Sequence, residues 1–235
     1  MRRLWHGVCG WLGVEAITVS HTEKIVSLVG GFAGILGIMC VSWYTLGAQT
    51  GVPVIASMGA SAVLLFAVPH GPLSQPWPLI GGHLVSAVVG VSCAKLIPID
   101  ILAASLAVGV AIGVMYYLRC IHPPGGATAL VAVIGGHEIA ELGYWFVLIP
   151  VALNVVVILM VAIVFNYAFA WRRYPVYVTR QYGKSVETKY AYDIIEHADL
   201  VYALSQIDSF IDVSENDLLK IYELATKRRH PQRYD

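Results

Sequence analysis

The chain has 235 residues, of which 57% are apolar and 13% charged, and its mean hydropathy is +0.69. The net charge of zero hides a segregation, since residues 172–235 hold ten basic and ten acidic residues. Between residues 25 and 171 the charged residues are Lys95, Asp100, Arg119, Glu138 and Glu141. A soluble domain cannot bury this much apolar surface, so residues 25–171 predict a multi-span membrane domain. Without a basic stripe, a nucleic-acid partner is excluded.

The first 24 residues precede the predicted membrane domain. Trp5 and Trp11 stand among aliphatic and polar residues, with no small-residue cleavage site after a long apolar core. We therefore expect no cleaved signal peptide. Residues 1–24 instead predict a helix that lies in the membrane interface, with its tryptophans at headgroup depth.

Six apolar segments follow, at residues 25–47, 54–68, 79–97, 99–118, 126–134 and 144–171. The second is interrupted by Ser57-Met58-Gly59-Ala60-Ser61, and the fifth is too short to cross ~30 Å of hydrocarbon at 1.5 Å per residue. The predicted fold is an all-α, polytopic membrane helix bundle of about six segments, two of them short broken helices. If the short segments re-enter instead of crossing, the count is four or five spans.

Basic residues indicate the orientation of the bundle. With six passages, Lys95 faces one side of the membrane, and the other side receives Arg2, Arg3, Lys24, Arg119, Arg172 and Arg173. By the positive-inside rule both termini are cytoplasmic, in a multi-pass protein of the cell's inner (plasma) membrane.

An internal repeat relates the two short segments. A shift of 67 residues superimposes Gly59-Ala60-Ser61-Ala62 on Gly126-Ala127-Thr128-Ala129. Each segment also follows a proline-containing break. Three passages per repeat, an odd number, would insert the halves in opposite orientation, which predicts an inverted 3+3 repeat with its broken helices meeting near the midplane.

The most informative motif is His122-Pro123-Pro124-Gly125-Gly126. Two prolines cannot lie inside a helix, so the chain should break and a new helix should open at membrane depth with free N–H groups. Such a helix N-terminus binds small anions. The candidate substrate-binding residues are Gly59, Ala60, Ser61, His83, His122, Gly125, Gly126, Ala127 and Thr128. A bulky side chain at Gly126 is expected to block the anion.

Several of these residues have a structural alternative. His122 either faces the ligand or caps the interrupted backbone, and His83 either functions in the site or bonds across helices as a neutral ring.

Other polar residues of the membrane region have simpler roles. Asn154 fits an interhelical hydrogen bond, and Arg119 marks a span end or attracts an anion. Glu138 and Glu141 fit a solvated loop better than a catalytic pair, and no histidine spacing such as HxxxH occurs. We expect the protein to have no enzymatic activity and to bind no metal or cofactor.

Motifs across residues 22–176 resemble the HPP family of integral membrane proteins. They are Gly59-Ala60-Ser61-Ala62-Val63-Leu64-Leu65-Phe66, Pro72-Leu73-Ser74-Gln75-Pro76, Gly81-Gly82-His83, the His-Pro-Pro motif itself and Arg172-Arg173-Tyr174-Pro175. Some plant and cyanobacterial members are nitrite transporters, so the resemblance implies a transporter or channel for a small monovalent anion, with nitrite first. Trp77 departs from the polar or basic residue expected in the Gln-Pro loop.

Residues 172–235 predict a cytosolic helical tail. Leu200, Leu204, Ile207 and Ile211 recur at helical spacing, and Ser214–Asp217 begins a second helix, which together suggest a hairpin. The alternative function is therefore a membrane sensor or scaffold that acts through this tail. The expected partners are a small inorganic anion, membrane lipid and a second copy of the chain, most simply in a dimer.

Overall fold

The computed structural model describes residues 19–50 and 52–177, without the side chains of residues 46–55. This part of the chain holds seven α-helices: α1 (His21–Thr50), α2 (Val52–Ala67), α3 (Pro76–Leu96), α4 (Asp100–Tyr117), α5 (Pro123–Ile134), α6 (His137–Leu142) and α7 (Leu153–Tyr167). Short 3-10 turns cover Pro72–Ser74 and Ala170–Arg172, and a π-type turn covers Val147–Ala152. The described residues contain no strand, so the all-α class is confirmed.

Four helical stretches are long and apolar enough to cross a membrane: His21–Thr45, Pro76–Leu96, Asp100–Tyr117 and Val147–Tyr167. Two shorter apolar helices accompany them, Ala56–Ala67 and Pro123–Ile134. At 1.5 Å per residue, the 12 residues of α5 reach only ~18 Å of the ~30 Å hydrocarbon thickness. All six apolar segments of the sequence are thus helical, and the two expected to be short are short. The inverted repeat stays a prediction.

Helix α3 lies at the centre of the bundle and packs against α4, α5, α7 and the π-type turn, while α5 also contacts α2 and α4. Every fourth residue of α4 facing this core is alanine, at Ala103, Ala107 and Ala111, which lets the helices approach closely. Large apolar side chains such as Leu28, Phe32 and Ile101 point outward. In water such a surface would be unstable, so the bundle has the outside of a lipid-embedded protein.

The glycines of α1 make room for side chains of other helices of the same chain. A methyl group built on Gly30 would lie 2.5 Å from the Phe66 ring and 2.7 Å from the Phe165 ring, and one on Gly34 would lie 2.6 Å from Phe66. The glycine face therefore receives aromatic rings of α2 and α7.

The structure differs from the sequence prediction at the start of α1 and within α2. Helix α1 begins at His21, four residues before the predicted start, because the Ser20 hydroxyl accepts the N–H of Glu23 at 3.1 Å and caps the first turn. Helix α2 continues through residues 57–61 without a break. There the Ser61 hydroxyl approaches the Ser57 carbonyl at 3.4 Å, which lets a small polar residue sit inside a membrane helix.

Two predicted features lie outside the described residues. These are the interfacial helix, apart from its last residues, and the tail hairpin of residues 200–225.

Candidate functional site

The chain breaks at the two adjacent prolines, as predicted. Helix α4 ends at Tyr117, Arg119 has a positive φ of 55°, and α5 begins with Pro123 and Pro124 at its first two positions. Proline suits these positions because an N–H there has no acceptor within the helix. The expectation of free N–H groups is wrong for this first turn: the prolines have none, and the Gly125 N–H donates to the His122 carbonyl at 2.8 Å.

Glycines let α5 approach α3 almost to backbone contact. A methyl group on Gly125 would lie 2.7 Å from the Gly82 carbonyl oxygen and 2.8 Å from Ser86 Oγ, and one on Gly82 would collide with the His122 Cβ. Further along the same crossing, a methyl on Gly90 would lie 2.6 Å from the Ala129 carbonyl oxygen. Only residues without a side chain fit here, and their closeness places the polar groups of both helices within hydrogen-bond reach.

Four polar side chains meet at the junction of α2, α3 and α5, and we call them the His-Ser-Thr cluster: Ser61, His83, His122 and Thr128. Ser61 Oγ lies 2.8 Å from His83 Nε2 and 2.9 Å from His122 Nε2. His83 Nδ1 lies 2.7 Å from Thr128 Oγ1. All four residues are at most 1% exposed, so the cluster is closed off from solvent.

One backbone carbonyl fixes the direction of every hydrogen bond in the cluster when both rings are neutral. His122 Nδ1 lies 2.9 Å from the Leu73 carbonyl oxygen, which only accepts, so this nitrogen carries the proton. His122 Nε2 is then an acceptor, and Ser61 donates to it. Ser61 in turn accepts from His83 Nε2–H, which leaves His83 Nδ1 to accept from the Thr128 hydroxyl. The result is a one-way chain from Thr128 to Leu73 with every member bonded.

The two hydroxyls of the cluster occupy equivalent positions of the 67-residue shift. Ser61 and Thr128 bond opposite nitrogens of one imidazole, that of His83. Each hydroxyl also faces the carbonyl four residues earlier in its own helix, Ser57 at 3.4 Å and Pro124 at 3.5 Å. The weak sequence repeat therefore coincides with a matched pair of hydroxyls around a shared ring.

The remaining predicted site residues lie away from the cluster's centre. Gly59 is half-buried with open space where a Cβ would be, and Ala60 and Ala127 are exposed. Gly126 is half-buried and a methyl there would touch only Val108 of α4, at 3.8 Å. Of the glycines in the His-Pro-Pro motif, it is Gly125 that faces α3. The structure thus brings together Ser61, His83, His122 and Thr128 from the predicted set, with Gly125 beside them.

Asn154 makes the predicted interhelical bond, since the Ser42 hydroxyl of α1 donates to its Oδ1 at 2.9 Å. Its buried Nδ2 has no hydrogen-bond partner in the described part of the chain.

The carboxylates Glu138 and Glu141 are exposed, as expected, but they lie on the short helix α6 and not in a loop. Glu141 lies 3.5 Å from His137 Nδ1. Arg119 is exposed beside the break. Trp77 donates its indole N–H to the Leu118 carbonyl at 3.1 Å and so holds the start of α3 to the end of α4. No group of three or more His, Cys, Asp or Glu side chains lies together among residues 19–50 and 52–177 with described side chains.

The end of α2 is held by side chains from three other segments, an arrangement we call the α2 collar. Ser74 Oγ donates to the Leu64 carbonyl at 3.0 Å, Asn166 Nδ2 to the Leu65 carbonyl at 3.2 Å and Arg172 Nη2 to the Phe66 carbonyl at 2.5 Å. These carbonyls belong to the last turn of the helix, where the Leu64 carbonyl also accepts the Val68 N–H at 3.1 Å. The side chains thus supply partners where the backbone ladder of the helix ends. The guanidinium also complements the negative end of the helix dipole.

The segment after α7 is tied to the turn that holds His122. The Tyr174 hydroxyl donates to the Ser74 carbonyl at 2.8 Å, and burial raises the pKa of this hydroxyl. The Val176 N–H donates to Gln75 Oε1 at 3.1 Å, and His70 Nε2 lies 3.2 Å from the Arg173 carbonyl oxygen. Ser74 follows Leu73 directly, so this strap of residues 173–176 fixes the carbonyl that orients the cluster.

Sequence reasoning missed the Leu73 carbonyl, the α2 collar and the strap. A backbone acceptor leaves no signal in a sequence, and Arg172 was interpreted as a marker of the cytoplasmic side. The one available signal was the pair Asn166 and Arg172, two polar residues at the end of a strongly apolar segment. Such residues need partners when they are buried.

The four long apolar helices and the two short ones define a multi-pass membrane protein, and a buried polar cluster lies at the junction of α2, α3 and α5. Residues 16–175 match the family described as HPP, transmembrane region, and the chain belongs to this family. It is 36% identical over 177 residues to one transmembrane protein of Dictyostelium discoideum and 39% identical over 176 residues to another. Each alignment covers 71% of this chain, and the chain spans 55% and 61% of the two relatives' lengths. No solved structure matches it.

Proposed function

We propose that the protein carries a small monovalent anion, nitrite first, across the membrane by way of the His-Ser-Thr cluster. The observation that supports this most is the burial of four polar side chains at the crossing of three apolar helices. Polar groups at membrane depth are costly and are a functional candidate by default. The cluster offers hydroxyl and ring N–H donors, which an anion accepts from, and no carboxylate is among its described partners.

The anion would take over bonds that the cluster members now make to one another. In the observed state the hydroxyls of Ser61 and Thr128 and the His83 N–H donate within the cluster. A small anion entering between α2, α3 and α5 can accept all three, so that desolvation is offset without a permanent positive side chain. The side-chain donors thus take the role that the sequence analysis gives to backbone N–H groups, because the first N–H of α5 is already bonded. Binding of this moderate strength permits release.

The topology and assembly of the transporter are part of the proposal. The six apolar helices are six passages in an inverted 3+3 arrangement, with both termini on the cytoplasmic side of the plasma membrane. A homodimer is the simplest assembly. Cysteine-accessibility labelling at residues 48 and 141 from outside the cell tests the orientation, and labelling only from the cytoplasm would contradict it. Mass measurement under mild detergent tests the dimer.

Flux into proteoliposomes tests the function. Purified protein is reconstituted, and uptake of nitrite, nitrate, formate and chloride is compared with uptake by protein-free vesicles. Thr128→Val removes one donor, so uptake should fall by about 2- to 10-fold, as one hydrogen bond of ~0.5–1.5 kcal/mol implies. Ser61→Ala removes a hydroxyl that bonds both imidazoles, so uptake should fall by about tenfold or more. Ser105→Ala is the control, because that hydroxyl is exposed and bonds its own helix at the Ile101 carbonyl. Absence of flux for all four anions would refute the proposal.

One observation favours the alternative of a sensor that acts through its tail. The strap of residues 173–176 is the beginning of the predicted tail and is hydrogen-bonded to the turn beside Leu73. Removing residues 178–235 separates the two functions. A transporter keeps anion flux after this deletion, whereas a sensor loses its cellular effect with flux absent in both forms.

A further inference from the structure

The His-Ser-Thr cluster has room for one additional proton without any heavy atom moving. Thr128 Oγ1 has a second acceptor, the Pro124 carbonyl at 3.5 Å, to which its hydroxyl can rotate. His83 Nδ1 is then free to hold a proton and to donate it to Thr128 Oγ1. In this state His83 carries two N–H groups and the positive charge, while Ser61 still donates to His122. Every hydrogen bond of the chain is retained, and the one between His83 and Thr128 is reversed.

The same proton count has a second arrangement. His83 Nε2 gives its proton to Ser61 Oγ as Ser61 gives its own proton to His122 Nε2. One N–H bond and one O–H bond break, and one of each forms. The charge moves from His83 to His122, whose Nδ1–H remains on the Leu73 carbonyl. The two distances that matter are 2.8 and 2.9 Å, both within ordinary hydrogen-bond reach.

From this geometry we infer that Ser61 relays a proton between His83 and His122, and that the cluster carries one proton together with each anion. The inference rests on the proposed anion transport and names its coupling. An isolated anion is costly in a low-dielectric interior, and an imidazolium beside it offsets that cost. The anion and the proton then cross as a neutral pair, on which the membrane potential does no work.

Within residues 19–50 and 52–177, no other ionisable side chain is hydrogen-bonded to the cluster. The described portions of α2 and α5 and the turn Pro72–Ser74 contain no titratable side chain. Next to the cluster, Cys120 packs against Gly81 of α3. The titratable residues of the helices packed around it are Cys93, Lys95, Asp100, Tyr116, Tyr117 and Tyr167, all exposed except the half-buried Cys93. Three further groups, His70, Arg172 and Tyr174, are bonded to the Arg173, Phe66 and Ser74 carbonyls and make no bond to either imidazole in the described part of the chain. A coupled proton therefore has two sites available to it, the imidazoles of His83 and His122.

The test measures protons and nitrite together. Proteoliposomes loaded with a pH-sensitive dye receive external nitrite while valinomycin and potassium set the membrane voltage. We expect one proton to enter per nitrite, after subtraction of protein-free vesicles, at a rate independent of voltage. In Ser61→Ala the relay is absent, and proton-linked nitrite uptake should fall by about tenfold or more, because two hydrogen bonds are lost together. Ser86→Ala, a buried serine on α3 outside the cluster, is the matched control and should keep the ratio.

Each outcome decides between the two proposals. Nitrite uptake without internal acidification, or uptake that follows the imposed voltage, overturns the proton coupling and leaves anion transport standing. Normal coupling in a Ser61→Ala protein overturns the relay through this hydroxyl. Absence of uptake for every anion overturns the transport function and the coupling with it. Thermal unfolding of both serine variants excludes misfolding as the cause of a loss.

Discussion

Gly125 and Gly126 are adjacent in the sequence, yet alanine should have opposite effects at the two positions. On Gly125 the new methyl meets the Gly82 carbonyl oxygen at 2.7 Å, whereas an ordinary carbon–oxygen contact is about 3.3 Å or more. The partner is backbone, so α3 and α5 must separate. On Gly126 the new methyl meets only Val108, at the normal contact distance of 3.8 Å. The sequence alone indicates Gly126 as the sensitive position, and the geometry moves the expectation to Gly125.

The magnitudes follow from this difference. Overpacking at a rigid contact costs about 1–3 kcal/mol. Replacing glycine by alanine in a helix stabilises the folded state by up to about 1 kcal/mol at both positions. We therefore expect Gly126→Ala to be neutral or slightly stabilising and Gly125→Ala to be less stable than it by about 2 kcal/mol, or about 4–8 °C in Tm for a domain of this size.

Intrinsic tryptophan fluorescence during heating in detergent measures this gap, since the chain has six tryptophans. Anion flux supplies a second readout. Separation of α3 from α5 lengthens the 2.7 Å contact between His83 and Thr128, so Gly125→Ala should lose transport while Gly126→Ala keeps it. Equal Tm values and equal flux for the two variants would show that the α3–α5 crossing is not as close as described.

Three further predictions concern groups around the cluster. Nitrogen-15 NMR of the resting protein should find the proton of His122 on Nδ1 and that of His83 on Nε2; the same tautomer in both rings would contradict the one-way chain. Arg172→Gln should lower the free energy of unfolding by about 2–4 kcal/mol, measured by denaturant titration, because a buried guanidinium with several acceptors is lost. Tyr174→Phe leaves the Ser74 carbonyl without its donor and should lower the free energy of unfolding by about 1 kcal/mol, with a smaller effect on anion flux than on stability. An unchanged Tm would show that the strap does not stabilise the fold.

The helices and the break could be predicted because both depend on local sequence. A run of apolar residues gives a membrane helix, and adjacent Pro123 and Pro124 end one helix and begin the next whatever surrounds them. The helix starts were less predictable. Ser20 and Glu23 fit the spacing of a capping box, a local signal that places the start of α1 before the apolar run begins.

The composition of the candidate site could be predicted, and its geometry could not. Ser61, His83, His122 and Thr128 were all in the predicted set, since polar residues within apolar segments are few. Their mutual distances depend on how α2, α3 and α5 cross, which involves residues up to 67 positions apart. The same limit explains the misplaced emphasis on Gly126, because one step along a helix turns a residue by about 100° toward another neighbour.

The α2 collar determines how far each residue of α2 moves when this helix tilts. Because side-chain hydrogen bonds hold the carbonyls of residues 64–66, a tilt of α2 has its pivot at that end of the helix. Ser61 lies four residues from Leu65, or ~6 Å along the axis, and Ala56 lies ~14 Å away. A tilt of about 10° would thus displace Ser61 by ~1 Å and Ala56 by ~2.5 Å. Directed away from the imidazoles, ~1 Å would take both contacts of Ser61, now at 2.8 and 2.9 Å, beyond hydrogen-bond distance. A small tilt about this end of α2 is therefore enough to open the cluster to the proposed anion.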